Sequence, residues 1–352
     1  MRRGGAFLAM ASVFLATFGA VPARAVSWCG AERELPLVRS DADAAGGVTH
    51  WFREADGSLI GAPVPPAGWA PMTASDAELA RYAFPERPRD TGQLLRWQAT
   101  FRNYARPARP TLCESGVHGS TTDALLDYDA TTSSYGNPIW SGGVDKGGGY
   151  LYHAAQATFG VPTYATTCAD PEDELLWVGL GGYGTTSLIQ AGVDLNEGAP
   201  YAWLEYISAT HDSTALPMSS LRSDTPRFAS GDTAYAYVDY DAARSWAHFT
   251  VRNATTGATA TYVKALGREY YDGTSAEFID ERPTWGYTTW RLSRHSYANF
   301  SYAQALDQYN VWRGGQTVPN VQLDMRVDGR TLNRTSGWTS THAFRMSWVT
   351  CS

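Results

Sequence analysis

Lysine is nearly missing from this chain: Lys146 and Lys264 are the only two among 352 residues, and acids outnumber bases for a formal charge of −7. Such a chain offers no basic surface to a phosphate backbone, which argues against nucleic acid as a partner. With so few amines, acidification mainly discharges carboxylates. That composition suits an acidic habitat, and it suits a GC-rich, arginine-biased coding sequence equally well. Cysteine is sparse too, at Cys29, Cys113, Cys168 and Cys351, and none of the four forms a close pair. The seven histidines show no H-E-x-x-H spacing, so a zinc site has little support. No G-x-S-x-G elbow marks a serine nucleophile. The glycine-rich "DKGGGY" lacks the spacing and the following helix of a phosphate loop. No cofactor is expected.

Long apolar runs are missing as well, with one exception. Residues Ala6 to Val21 follow Arg2 and Arg3 and lead to "PARA" before Val26, the small-x-small pattern of a secretory cleavage site. Residues 1–25 are therefore expected to be a signal peptide, leaving a secreted, extracellular protein. Nothing else approaches the roughly 18 apolar residues of a membrane span. Loss of Arg2, Arg3 and Arg24, with no acid lost, lowers the formal charge from −7 to −10. In an exported chain the four cysteines favour disulfides. Three pairings are open; Cys29–Cys113 with Cys168–Cys351 is preferred because each bond then stays within one of the two regions described next.

From 26 to 130 the chain is rich in turns. "GAPVPPAGWAP" reads as a linker, Ser75 can cap a short helix in "TASDAELARYAF" that "PERPRD" stops, and "TGQLLRWQATFRNYA" has a helical period. A small mixed region is expected there. From 131 to 352 short alternating runs such as "ELLWVGLGG", "TSLIQAGVDL", "YAWLEYIS", "DTAYAYVDYD" and "SWAHFTVRNA" follow one another between Gly, Asn, Asp and Thr. About eleven such runs without a long helical period predict an all-β domain, an antiparallel β-sandwich.

Side chains alternate across a strand. Ile189, Ala191 and Val193 thus form an apolar face opposite Gln190 and Asp194; Ala202, Leu204 and Tyr206 oppose Trp203 and Glu205; Val178 and Leu180 oppose Trp177. In "AEFIDE" Glu277, Ile279 and Glu281 share a side. One face of the sandwich collects Gln190, Asp194, Glu205, Glu277, Glu281, Trp177 and Trp203, a mixture of aromatic contact area and orienting polar groups that fits a substrate groove. Taken singly, each has a plainer reading: an outward Glu or Gln on a sandwich is ordinarily solvated, a Trp is ordinarily core, and Asp194 can bond a turn.

Together these segments resemble the eqolisins, the glutamic peptidases. "IWSGGV" and "ATFGVPT" resemble the family's opening strands, "WVGLGG" its tryptophan-valine-glycine strand, "LIQAGVDL" the strand with its catalytic glutamine and "AEFIDE" the strand with its catalytic glutamate. The resemblance covers about 135–350. It implies a concanavalin A-like sandwich of two bent sheets, with Gln190 and Glu281 as the catalytic pair and Trp177, Asp194, Trp203, Glu205 and Glu277 lining or supporting the site. It also implies protein or peptide substrates, an acid optimum, a monomer and no metal or cofactor. The region 26–130 resembles segments that precede the peptidase domain in bacterial relatives, either a pro-region or a permanent accessory module. Two positions depart from the family: Gly181 and Tyr201 stand where it usually has aspartates. The competing class is a non-catalytic or glycan-directed sandwich. A retaining glycosidase wants two carboxyls ~5–5.5 Å apart, whereas Glu277 and Glu281 on one extended strand are about 13 Å apart along it.

Overall fold

A computed structural model describes residues 36–53, 59–82 and 134–351, apart from 166–167, 169–171, 196–199, 209–210, 218–225 and 286–287, together with scattered positions between 33 and 129. The expected signal peptide, Cys29 and most of 83–133, including "TGQLLRWQATFRNYA", lie outside the described residues. No described helix is long and apolar enough to cross a membrane.

After a two-residue strand at Arg33–Glu34 come β1 (Leu37–Ala42), β2 (Val48–Arg53) and β3 (Leu59–Val64), followed by helix α1 (Asp76–Arg81). Then come β4 (Ser134–Asn137), β5 (Trp140–Lys146), β6 (Tyr152–Gly160), β7 (Leu175–Gly181), β8 (Leu188–Asp194), β9 (Tyr201–Ser208) and β10 (His211–Pro217). The meander continues through β11 (Thr233–Asp241), β12 (Trp246–Asn253), β13 (Thr259–Ala265) and β14 (Ser275–Glu281). It closes with β15 (Ala298–Asp307), β16 (Asn320–Val327), β17 (Arg330–Thr335) and β18 (Phe344–Trp348).

The first sheet runs β10, β9, β8, β7, β14, β5, β16, antiparallel throughout, with β4 added parallel to β16. The second runs β18, β15, β6, β11, β12, β13, also antiparallel. β17 pairs with both β16 and β18 and so joins the two sheets at a corner. Between them lies the core that the period of two predicts: Leu176, Val178, Leu180, Ile189, Ala191, Val193 and Leu204 from the first sheet meet Ala157, Phe159, Ala236, Val238, Phe249 and Val251 from the second. Phe159, Phe300 and Phe344 stack in series at one side of it, with centroids 4.9 and 5.3 Å apart. Alternation alone overlooks β15, because polar Ser301 and Gln304 interrupt it and the register with β6 shifts between those two residues.

Within the N-terminal region β1–β3 continue the second sheet, whereas Asp127–Asp129 pairs with β4 on the first. β3 pairs with β13, β2 with β3 and β1 with β2. Phe52 and Ala62 enter the central core, and the Thr261 hydroxyl donates to the Pro63 carbonyl at 3.2 Å. Helix α1 carries the expected cap: Glu78 N–H donates to Ser75 Oγ at 3.2 Å and Ser75 N–H to Glu78 Oε2 at 2.8 Å. Its Leu79, with Tyr82, packs on Tyr235, Tyr237 and Leu306, the outer side of the second sheet. Cys168 and Cys351 form a disulfide, as preferred from the sequence, closing 183 residues of chain.

Candidate active site

Seven residues from four neighbouring strands share the outer face of the first sheet, and register decides which stand level. One row across β9, β8, β7, β14 and β5 reads Glu205, Gln190, Gly179, Glu277, Val144. The next reads Trp203, Gly192, Trp177, Ile279, Gly142, and the third Tyr201, Asp194, Leu175, Glu281, Trp140. Gln190 and Glu277 thus face each other across the bare backbone of Gly179, two strand spacings or about 10 Å apart at the main chain. Glu281 lies two rows away, level with Asp194. The Trp177 indole spans the interval, its Nε1–H donating to Glu281 Oε2 at 2.8 Å.

Other contacts fix the remaining groups. Gln190 Nε2 donates to Glu205 Oε2 at 2.6 Å, which orients the carboxamide, and Gln190 Oε1 has no hydrogen-bond partner. The Tyr201 hydroxyl donates to Asp194 Oδ2 at 2.7 Å. Trp140 packs edge-on against Trp177, with centroids 5.0 Å apart. All seven expected site residues therefore lie on one face. The plain reading of its glutamates as solvated groups fails, since none of the seven is more than 2% exposed. Tyr135, Tyr183 and Tyr201 pack against its apolar members.

Enclosure sets the electrostatics. Burial, the largest cause, pushes the Glu277 carboxyl well above the usual carboxylate range, and Asp272 and Asp145 push the same way. Burial likewise raises Asp145 well above its ordinary value, and neither of its oxygens has a hydrogen-bond partner. Both groups hold their protons well beyond the acidity at which a solvated carboxyl ionises.

The two departures from the family pattern have structural accounts. Gly181 adopts φ +85°, and a Cβ there would stand 2.3 Å from the Ser187 carbonyl oxygen. No aspartate fits this backbone. The Asp272 Cβ lies 3.3 Å from that same point, so the loop before β14 supplies an acid nearby. At Tyr201 the acid of the third row sits one strand over, at Asp194, under the tyrosine's own hydroxyl. Sequence reasoning passed over Trp140, and parity put Gly179 on the Trp177 face without a role; only the order of strands shows what the two flank.

An antiparallel sandwich that sets a carboxamide beside carboxyls and tryptophans has the parts of a hydrolytic site. The chain belongs to the Peptidase A4 family, whose profile matches residues 138–346, more than half of it. By family, then, it is a peptidase. Scytalido-glutamic peptidase with a transition state analog inhibitor matches at 18% identity over 60% of this chain and 98% of its own, with a TM-score of 0.50. SCP-B, a member of the eqolisin family of peptidases solved with the tripeptide Ala-Ile-His, matches at 18% identity over the same shares, with a TM-score of 0.47. At such identity the first likeness bears on the fold alone. No curated protein matches significantly.

Proposed function

We propose that the protein is a secreted, acid-acting glutamic endopeptidase, a monomer that hydrolyses protein or peptide substrates through Gln190 and Glu281. The observation that carries this reading is the placement of the two side chains on one face of the first sheet in a chain of the Peptidase A4 family. Amide hydrolysis needs a base for water, a donor for the developing oxyanion and an acid for the leaving nitrogen. Glu277 is ill suited to be the base, because its enclosed carboxyl keeps its proton. Glu281 accepts the Trp177 N–H, the kind of donor that satisfies an ionised oxygen away from water. Glu281 takes a proton from water, the water oxygen attacks the scissile carbonyl, and Glu281 returns the proton to the departing amine. Gln190 gives one amide hydrogen to Glu205 and offers the other to the oxyanion. Glu277 and Asp145, whose burial holds their carboxyls well above the usual range, are neutral throughout the acid range in which this reading places the enzyme.

The enclosed face favours one second reading, a sandwich that binds without cutting or a form awaiting activation. β1–β3 pair with the second sheet, away from this face, so they remain with the enzyme after any cleavage near "RPARP" at 106–110. Digestion of a denatured protein from acid to neutral pH, with pepstatin present, tests the reading. Cleavage that disappears in Glu281→Gln and in Gln190→Ala supports it; variants as fast as the parent refute it, and a parent that never cuts, even after acid incubation, leaves the binding protein standing.

A further inference from the structure

Asp280 lies between Ile279 and Glu281 on β14, yet its side chain points to the other face of the sheet. There it meets Glu174, just before β7, and His295, in the short strand Arg294–His295 that pairs with Tyr164–Ala165. All three side chains are fully enclosed. One donor atom from each lies within 4.8 Å of the others. His295 Nε2 is 3.3 Å from Asp280 Oδ2, and its Nδ1 is 3.7 Å from Glu174 Oε1.

The hydrogen bonds around this cluster leave its centre unsatisfied. His295 Nδ1 contacts the Ser296 carbonyl oxygen, which can only accept, so Nδ1 carries the hydrogen and Nε2 turns a lone pair toward Asp280. Nε2, Asp280 Oδ1 and both Glu174 oxygens have no hydrogen-bond partner. Lone pairs and carboxylates facing one another in a closed interior are costly unless something positive stands among them. A proton between Nε2 and Asp280 would serve that contact and leave both Glu174 oxygens orphaned. A divalent cation would serve all three side chains and cancel both carboxylate charges.

The surroundings are those of a held site. A ligating histidine commonly gives its other N–H to a backbone carbonyl, as His295 does. Asn333 Nδ2 holds Asp280 Oδ2 at 2.7 Å, Leu195 N–H holds the Glu174 carbonyl at 2.9 Å, and the Cys168–Cys351 disulfide anchors the segment leading to Glu174. The 3.3 Å separation of Nε2 and Oδ2 suits two ligands of a tetrahedral ion with bonds of ~2.0–2.2 Å. One imidazole with two carboxylates favours zinc or manganese over calcium or magnesium, which prefer oxygen alone.

We infer that Glu174, Asp280 and His295 form a structural site for Zn2+ or Mn2+, which ties together the start of β7, the end of β14 and the strand leading to β15, with water completing the coordination. The site lies behind the proposed catalytic face and does not depend on it. The full chain, stripped with a chelator, is titrated with zinc chloride and separately with manganese and calcium chlorides near neutral pH, where the ligands can deprotonate. One zinc or manganese ion per chain should bind, raise the unfolding temperature and show a single imidazole in X-ray absorption, with calcium weaker. Glu174→Gln and His295→Gln should each weaken binding beyond the ~10–100-fold typical of losing an outer partner, while Gln190→Ala, on the other face, binds as the parent does. The parent's stoichiometry and absorption spectrum decide the matter even if a variant fails to fold. No binding by the stripped parent, a spectrum without imidazole, or binding that survives both substitutions overturns the assignment.

Discussion

Two glutamates four residues apart on β14 share the candidate face, and replacing each by glutamine separates their roles. Glu281→Gln removes the proposed base while keeping an oxygen for the Trp177 indole, so packing changes little and the chemistry should suffer. A positioned general base contributes ~10²–10⁴-fold, or about 3–5 kcal/mol of barrier at 1.36 kcal/mol per decade. Glu277→Gln replaces an already protonated, enclosed carboxyl by a neutral group of the same shape. Its rate should stay within about tenfold of the parent, or about 1.4 kcal/mol. Gln190→Ala, which removes an oxyanion donor, should lose ~10²–10³-fold. The assay is kcat/KM on a quenched peptide in acid, after identical acid incubation of every protein, with near-ultraviolet circular dichroism to show that each is folded. An inactive Glu277→Gln beside an active Glu281→Gln would refute the assignment. The reacting row would then be the one in which Gln190 faces Glu277 across Gly179.

Three further outcomes follow from the packing. Restoring the family's aspartate as Gly181→Asp should destabilise by at least about 1–2 kcal/mol for the left-handed backbone alone, with the collision at the Ser187 carbonyl adding to it; a melting temperature equal to the parent's would contradict the turn described. Phe52→Ala should cost about 3–5 kcal/mol, because Phe52 is 2% exposed in the shared core, and denaturant unfolding should show one transition with a lower midpoint. An unchanged sandwich midpoint would make β1–β3 a separable module. The stability that Asp145 and Glu277 contribute should fall as pH rises: their folded values lie above the unfolded ~3.9 and ~4.3, so that contribution is complete below about pH 4 and is lost as pH climbs toward the folded values. Asp145→Asn should therefore gain stability relative to the parent as pH rises from 4 to 7 in thermal melts, and a parent–variant difference that does not change with pH would count against the enclosure of Asp145.

The sequence by itself determined most strands of the sandwich, because an alternation of two is local and runs such as "ELLWVGLGG" and "AFRMSWVT" declare their own faces; it missed β15, whose alternation Ser301 and Gln304 interrupt. It determined the cap at Ser75 for the same reason, and it collected the seven site residues on one side by parity. Parity carries no register, however. That Gln190 stands level with Glu277 and Glu281 with Asp194 depends on β7 entering between β8 and β14, a non-local pairing. Burial also comes from distant chain, which is why glutamates that taken singly read as solvated are enclosed. β1–β3 look like a separate module in sequence, since nothing short-range shows that Gly61 will pair with Val263. The Glu174, Asp280 and His295 cluster has no spacing to announce it, its members being brought together from three segments. Local chemistry selected the elements; only closure of the two sheets, driven by burying their apolar faces, decided which polar groups would be shut in together.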